Sequence, residues 1–343
     1  MAFFDGKVFN PEVFAKYVDT IPRVKQNALM NSGVFRTRND LKARLVDQVG
    51  GNYITEPIVG RIGGAVLNYD GSTNITATGI KTYSRGMIVH GRAKAWTEKD
   101  FTTDITGKDF MEVIASQVSD YWDDVDEADL LAVINGIFGV TSSNFSAKHT
   151  LDITSATTSK VDATTLNNAV QRASGANKNL FTLAIMHSQV ATNLENQQLL
   201  EFWKQTDANG VQRPTNLASW NGRTVLVDDE LVDASGSDPV YTTYLLGRNS
   251  IDYCDCGAKV PYETWRDPHT DGGQEELITR QRKLFAPIGF SFTNTGIMSP
   301  STAQLATAGN WDLAKDEGSG EQTPTYNYYP ESVIPIARIK SLG

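Results

Sequence analysis

The chain has 343 residues, 40% of them hydrophobic and 21% charged, with a formal net charge of −9. That length holds about two domains, and the composition excludes overall disorder. The acidic balance excludes a protein that wraps nucleic acid by neutralising its phosphates, and no stretch approaches the roughly 18 apolar residues of a membrane span.

Residues 1–48 carry scattered aromatics (Phe3, Phe4, Phe9, Phe14, Tyr17) and basic residues (Arg36, Arg38, Lys42, Arg44). Pro11 and Pro22 interrupt any long helix. Too few apolar residues are present to close a core, so the segment reads as an arm laid on another surface. Met1 to Gly6 has no basic stretch followed by an apolar one, so no export signal is read and cytoplasmic folding is expected.

From about 52 to 96 the sequence turns β-like. Ile54, Ile58, Val59 and Ile62 precede the patch Asn68-Tyr69-Asp70-Gly71-Ser72, and Ile75, Ile80, Tyr83 and Met87 follow it. An Asp-Gly pair between two β-prone runs signals a hairpin. Glycines 50, 51, 60, 63 and 64 make it a long, pliant excursion. An isolated hairpin is marginal in water, so its apolar positions need a partner surface. Deleting residues 53–88 is expected to leave a folded subunit.

A long helix comes next. Thr106 and Asp109 stand at capping-box spacing, and Phe110, Ile114, Val118, Tyr121, Trp122 and Val125 form one stripe. Leu130 to Phe138 continue it, with Gly136 and Gly139 as its end. At about 1.5 Å per residue it spans roughly 45 Å, the length of a spine.

A Ser/Thr-rich connection, 141–160, leads to a second module. Asp162 is expected to cap a helix stopped by Gly175, and Ser188 a second one, with strands at 181–186, 224–227, 241–246 and 251–253. A β-pair, 260–265 with 276–285, is joined by residues 267–273. The last strand, 333–339, is interrupted by Pro335 and therefore expected at an edge or bulge. Residues 315–321 read as an exposed loop, and no internal repeat is found.

Chemistry-bearing residues are few. His90, His149, His187 and His269 lack the spacing of a zinc-binding helix. His187-Ser188 lacks a nucleophile elbow. Cys254 and Cys256 supply two thiols where a tetrahedral site needs four ligands, and strand alternation puts both on one packing face. The glycine-rich stretches match neither phosphate-binding nor dinucleotide patterns. Asp123, Asp124, Asp126, Glu127 and Asp129 form the main charge run. It reads either as a solvated helix face or as an acidic strip facing a neighbour's Arg or Lys, since like charges crowded on one helix cost stability. No catalytic set, metal or cofactor is expected.

The order of parts (arm, long hairpin, spine helix, α/β module, β-pair) resembles the major capsid proteins of tailed bacteriophages with the Hong Kong 97 fold. Local wording carries the resemblance: Trp96-Thr97-Glu98-Lys99-Asp100 before the spine helix, and Ile114-Ala115-Ser116-Gln117 within it. Ala184-Ile185-Met186-His187-Ser188, Arg223 to Asp229, Tyr241 to Gly247, Pro287-Ile288-Gly289-Phe290 and Ile334 to Ile339 extend it over nearly the whole chain.

The resemblance implies an α+β capsid fold. Its parts would be an N-terminal arm (1–48), an E-loop hairpin (49–93) and a P domain with the spine helix (94–150). An A domain (151–255), the P-domain β-pair and loop (256–290) and a C-terminal part of the A domain (291–343) would follow. It implies a virion protein assembled in the host bacterial cytoplasm into hexamers and pentamers. Scaffolding, portal and decoration proteins are candidate partners, and packaged double-stranded DNA would be enclosed without sequence-specific binding. The loop at 267–275 would lie near three-fold contacts. Arg36, Arg38, Asp123, Asp124, Asp126, Glu127 and Asp271 are the candidate inter-subunit contacts. Residues 1–48 hold no helical, charged scaffolding segment, so scaffolding is expected as a separate protein or on a trimmed chain. Lys81 is the E-loop lysine nearest to a cross-linking role, without a supporting motif. Two alternatives are an encapsulin-like bacterial nanocompartment shell of the same fold and a hydrolase in which His187, Asp228 and Asp229 converge.

Overall fold

A computed structural model describes residues 32–46, 51–60, 62, 65–75, 77, 79–101, 110–206, 212–316 and 327–343. Most of the arm, the Thr106–Asp109 cap and most of the 315–321 loop fall outside these residues. The described end of the arm is integrated in its own subunit. Strand β1 (Phe35–Thr37) and helix α1 (Asn39–Val46) follow Val34, and Val34 and Leu41 are buried.

The hairpin strands are β2 (Tyr53–Val59) and β3 (Thr82–Ile88), paired antiparallel from Tyr53↔Ile88 to Val59↔Thr82. Pro57 is tolerated because β2 is the outer strand of a two-stranded sheet. The Asp70-Gly71 turn does not close a tight hairpin. It sits at the tip of an open excursion, where the Asp70 carboxylate accepts from the Ser72 and Thr73 amides at 2.9 and 2.7 Å. Tyr83, Arg85, Met87 and Ile88 are buried in the body. Removing 53–88 would therefore gut the subunit, and the dispensable part is the tip alone.

Strand β4 (His90–Lys99) runs straight on from the hairpin into the body. Helix α2 (Phe110–Phe138), 29 residues, is the expected spine. Gly136 does not end it. A Cβ there would strike the Leu305 carbonyl and the Trp311 indole nitrogen, so the glycine permits close packing inside the helix. The Ser/Thr-rich connection is also ordered: α3 (Phe145–His149) buries Phe145, and β5 (Thr150–Asp152) joins a sheet.

The second module continues with α4 (Thr165–Ser174), β6 (Phe181–Met186), α5 (Ser188–Asn196), β7 (Leu200–Thr206), β8 (Gln212–Trp220), β9 (Arg223–Val227), β10 (Val232–Asp233) and β11 (Val240–Gly247). The Asp162 carboxylate accepts from the Thr164 and Thr165 amides, as a cap should. Gly175 takes φ +60° and returns its N–H to the Gln171 carbonyl, stopping α4. Helix α5 is capped by His187, whose Nδ1 accepts from the Gln189 amide at 2.9 Å, one residue before the expected Ser188.

The chain then forms β12 (Ile251–Asp255), β13 (Tyr262–Asp267), β14 (Gln274–Pro287), β15 (Phe290–Phe292), α6 (Thr302–Ala306), β16 (Trp311–Leu313) and β17 (Ile336–Ser341). One sheet has the order β1-β12-β14-β13, with β4 also paired to β14. The larger sheet has the order β5-β17-β11-β6-β9-β8-β7, with β10 beside β11. Pro335 precedes β17 and does not interrupt it, and β17 lies between β5 and β11, not at the edge. Alternation on the large sheet builds two cores. Leu183, Ile185, Leu246 and Ile336 face the C-terminal half of the spine, while Ala184, Met186, Leu245 and Ala337 face α4 and α5.

The Gly136→Ala variant tests this packing. It should lose about 1–3 kcal/mol of stability in denaturant unfolding, despite alanine's helix propensity. A gain would show that the spine and Trp311 are not in contact.

Candidate assembly surfaces

A charged cluster fixes the hairpin root. Arg85 on β3 is 1% exposed and Asp252 on β12 is 0% exposed. The Arg85 guanidinium donates to Asp252 Oδ2 at 2.5 Å and to the carbonyls of Ala286 (2.6 Å) and Pro287 (2.9 Å). Burial of an ion is expensive unless it is paired and every donor is used, and here nearly all are. Arg36 on β1 completes the arrangement with a two-pronged grip on Asp252 at 2.5 and 2.8 Å. Arg38 bridges Asp40 and Glu56 and stands 3.5 Å from Asp252. Burial pushes the Asp252 carboxyl up, but the bonds from Arg36 and Arg85 and their charges outweigh it and hold it below the usual carboxylate range. Arm, hairpin and body thus meet at one carboxylate. Tyr53 adds a bond to the Phe292 carbonyl at 2.8 Å, and the Gly86 amide one to Ser291 Oγ at 2.7 Å.

The acidic run on the spine is not a uniformly solvated face. Asp126 is buried, in contact with Lys283 Nζ and accepting from Gln281 at 3.0 Å. Asp129 is buried and accepts from Arg92 at 2.8 Å and from the Thr302 hydroxyl at 2.7 Å. Asp123 and Glu127 are partly buried, and Asp124 is exposed. The helix uses its inward carboxylates to hold β4, β14 and α6. Asp271, at the tip between β13 and β14, meets Lys99 at 2.6 Å, with both half-exposed. Sequence reasoning missed Arg85 and Asp252, and it saw Asp129 only as a member of the charge run. The available signal was a lone charge inside an apolar strand run, as with Asp252 between Ile251 and Tyr253.

The hydrolase constellation does not assemble. His187 Nε2 lies 3.9 Å from Asp229, but its Nδ1 is occupied as a helix cap and Asp229 is largely exposed. Cys254 and Cys256 are buried together, sulfurs 3.7 Å apart, among Leu41, Met87 and Leu284. Among the described residues, no group of three metal-ligating side chains occurs.

His90 is the buried titratable group at the hairpin–spine junction. It stacks on Phe285, and its Nε2 lies 3.4 Å from Asp129. Burial lowers its pKa to about 4, against the opposing pull of Asp129. The unfolded chain, near 6.5, therefore binds the proton more readily. Stability is complete above pH 6.5 and falls between 6.5 and about 4, by on the order of 3 kcal/mol. A His90→Gln variant should flatten the pH dependence of unfolding across that window, and an unchanged slope would contradict the assignment. Asp252→Asn, which strips Arg85 of its counter-charge, should cost about 3–5 kcal/mol by denaturant unfolding. A cost under about 1 kcal/mol would show that the cluster is not what fixes the root.

No family model matches the chain. It is 27% identical over 313 residues to the major capsid protein of Bacillus phage SPP1, covering 90% of this chain and 93% of that one. Among solved structures it resembles the capsid of Ralstonia phage GP4 (TM-score 0.56, 11% identity, 91% and 88% of the two chains). It also resembles the capsid asymmetric unit of cyanophage Pam1 (0.55, 12%, 91% and 90%). The capsid of Helicobacter pylori bacteriophage KHP30 is similar as well (0.52, 9%, 91% and 89%). The fold is that of the phage capsids of the Hong Kong 97 type, and over nine-tenths of its length the chain is similar in sequence to a major capsid protein.

Proposed function

We propose that this chain is the building block of a phage head, gathering into hexamers and pentamers that close an icosahedral or prolate shell around double-stranded DNA. One observation carries the reading: the hairpin tip is apolar and uncovered. Val66 is 98% exposed, Tyr69 93%, Ile75 81% and Ile62 79%. Residues 62–80 contain a single charge, Asp70. Monomers rarely leave such a surface open. Covering one such side chain contributes about 1.5–3 kcal/mol, so a tip laid across a neighbouring copy adds several kcal/mol per contact.

Asp124, an exposed acid of the spine, is the candidate to meet that neighbour, and Asp271 would meet it as half of its ion pair with Lys99. Arg36 and Arg38 contribute by anchoring the hairpin that reaches it. Scaffolding, portal and decoration proteins are further partners of such a shell. An acidic chain encloses DNA without a sequence-specific grip. Assembly takes place in the host bacterial cytoplasm, and the finished protein resides in the virion.

Electron microscopy of the purified chain, with sedimentation alongside, should show closed shells or five- and six-membered rings. Uniform monomers that persist after a scaffolding partner is added would overturn the reading. Replacing residues 61–80 by a two-residue turn should leave the unfolding free energy within about 0.5 kcal/mol and abolish closed particles. Normal-sized shells from that variant would show that the tip does not hold copies together.

A further inference from the structure

Six arginines each meet a carboxylate: Arg36, Arg38, Arg85 and Arg92 as described, Arg266 with Asp100 and Arg280 with Glu263. Three cations at the β5 edge of the large sheet are different. Arg172 on α4 and Arg338 and Lys340 on β17 line one recess of about 310 Å³ with Ser146, Thr150 and Asp152. Among the described residues, none of the three has a carboxylate oxygen within 4 Å. The register sets Arg338 beside Thr150 and Lys340 beside Asp152, on one face. Arg338 is held in place: its guanidinium lies 4.5 Å from the Phe138 ring centroid, and its Nε donates to Thr150 Oγ1 at 3.3 Å. Arg172 spends one nitrogen on the Ala147 carbonyl at 2.9 Å. The one acid lining the recess, Asp152, is already engaged by the amide and hydroxyl of Thr154.

We infer that this recess is an anion site that takes a phosphate of the enclosed DNA backbone. Three cationic donors and two hydroxyls converge from α3, α4, β5 and β17. A tetrahedral oxyanion presents acceptors in all those directions, whereas a carboxylate presents two in one plane. The contact reads no base and is therefore independent of sequence. The inference rests on the shell reading, because that reading brings DNA to the subunit, but its test needs no shell.

Unassembled full-length chain is titrated with a fluorescent duplex of about 20 base pairs of arbitrary sequence, across a salt series, with inorganic phosphate as competitor. Binding should weaken with salt and yield to phosphate. Arg172→Gln with Lys340→Gln, both away from the cores, should weaken it at least about tenfold and lower the slope of log K against log salt by about 2. A partner variant, Lys42→Gln with Lys160→Gln, removes the same charge elsewhere and should change neither by as much. Equal losses in both variants, or no duplex binding by the parent chain, would overturn the site. So would intact duplex binding with failed particle assembly in the first variant, which would assign the recess to a neighbouring copy's carboxylate. Failure of the parent chain to form particles, with duplex binding as expected, would count against the shell reading and not against the recess.

Discussion

The Arg85–Asp252 pair is the constraint on which the rest of this subunit depends. A hairpin that leaves the body with most of its apolar surface uncovered has no core of its own to fix its direction. The body must fix it, and a short two-stranded ladder alone would swing. Burying a guanidinium against a carboxylate, with two carbonyls of β14 taking its remaining donors, makes the root geometry nearly single-valued. Because Arg36 grips the same carboxylate, the arm enters the body at the same point. A shift in one element is felt by the other two.

The spine helix plays the corresponding part for the body. Its inward carboxylates, Asp126 and Asp129, reach β14, β4 and α6, while its C-terminal half covers one face of the large sheet. Those acids sit in the run that looks from sequence like a solvated strip. A buried carboxylate survives there because each has a cation from a strand beside it. Among the described residues, the outcome is a packed body from which the hairpin tip stands out as an apolar projection. That is the division of labour a shell subunit needs: defined shape at the root, adhesive surface at the tip.

Much of this was legible in the sequence, for physical reasons. The spine was readable because a 3.6-residue stripe sustained over eight turns has no other explanation. Strands β6, β9 and β11 of the second module were readable as short β-branched runs between turn residues, whereas β7 and β8 were not read, and Gly175 was readable as a stop because only a positive φ ends α4 that way. What stayed hidden depends on partners distant in sequence. Asp252 and Arg85 are 167 residues apart, and Asp126 and Lys283 are 157 apart. Nothing local marks them as pairs. Gly136 and Pro335 were misread as breaks because a residue that breaks an isolated element can also permit close packing or open a strand. The hairpin's exposed tip was readable as apolar, but that β3 is core and only the tip is free required the structure.

The central claim is that the tip lies on another copy of the chain. Placing a photo-activatable phenylalanine derivative at Tyr69, the exposed aromatic at the tip, tests it most directly. Illumination of assembled material should join one copy to the next through residue 69, giving a ladder of covalent multimers, while the dilute unassembled chain should give none. Cross-links confined within single chains in assembled particles would contradict the account.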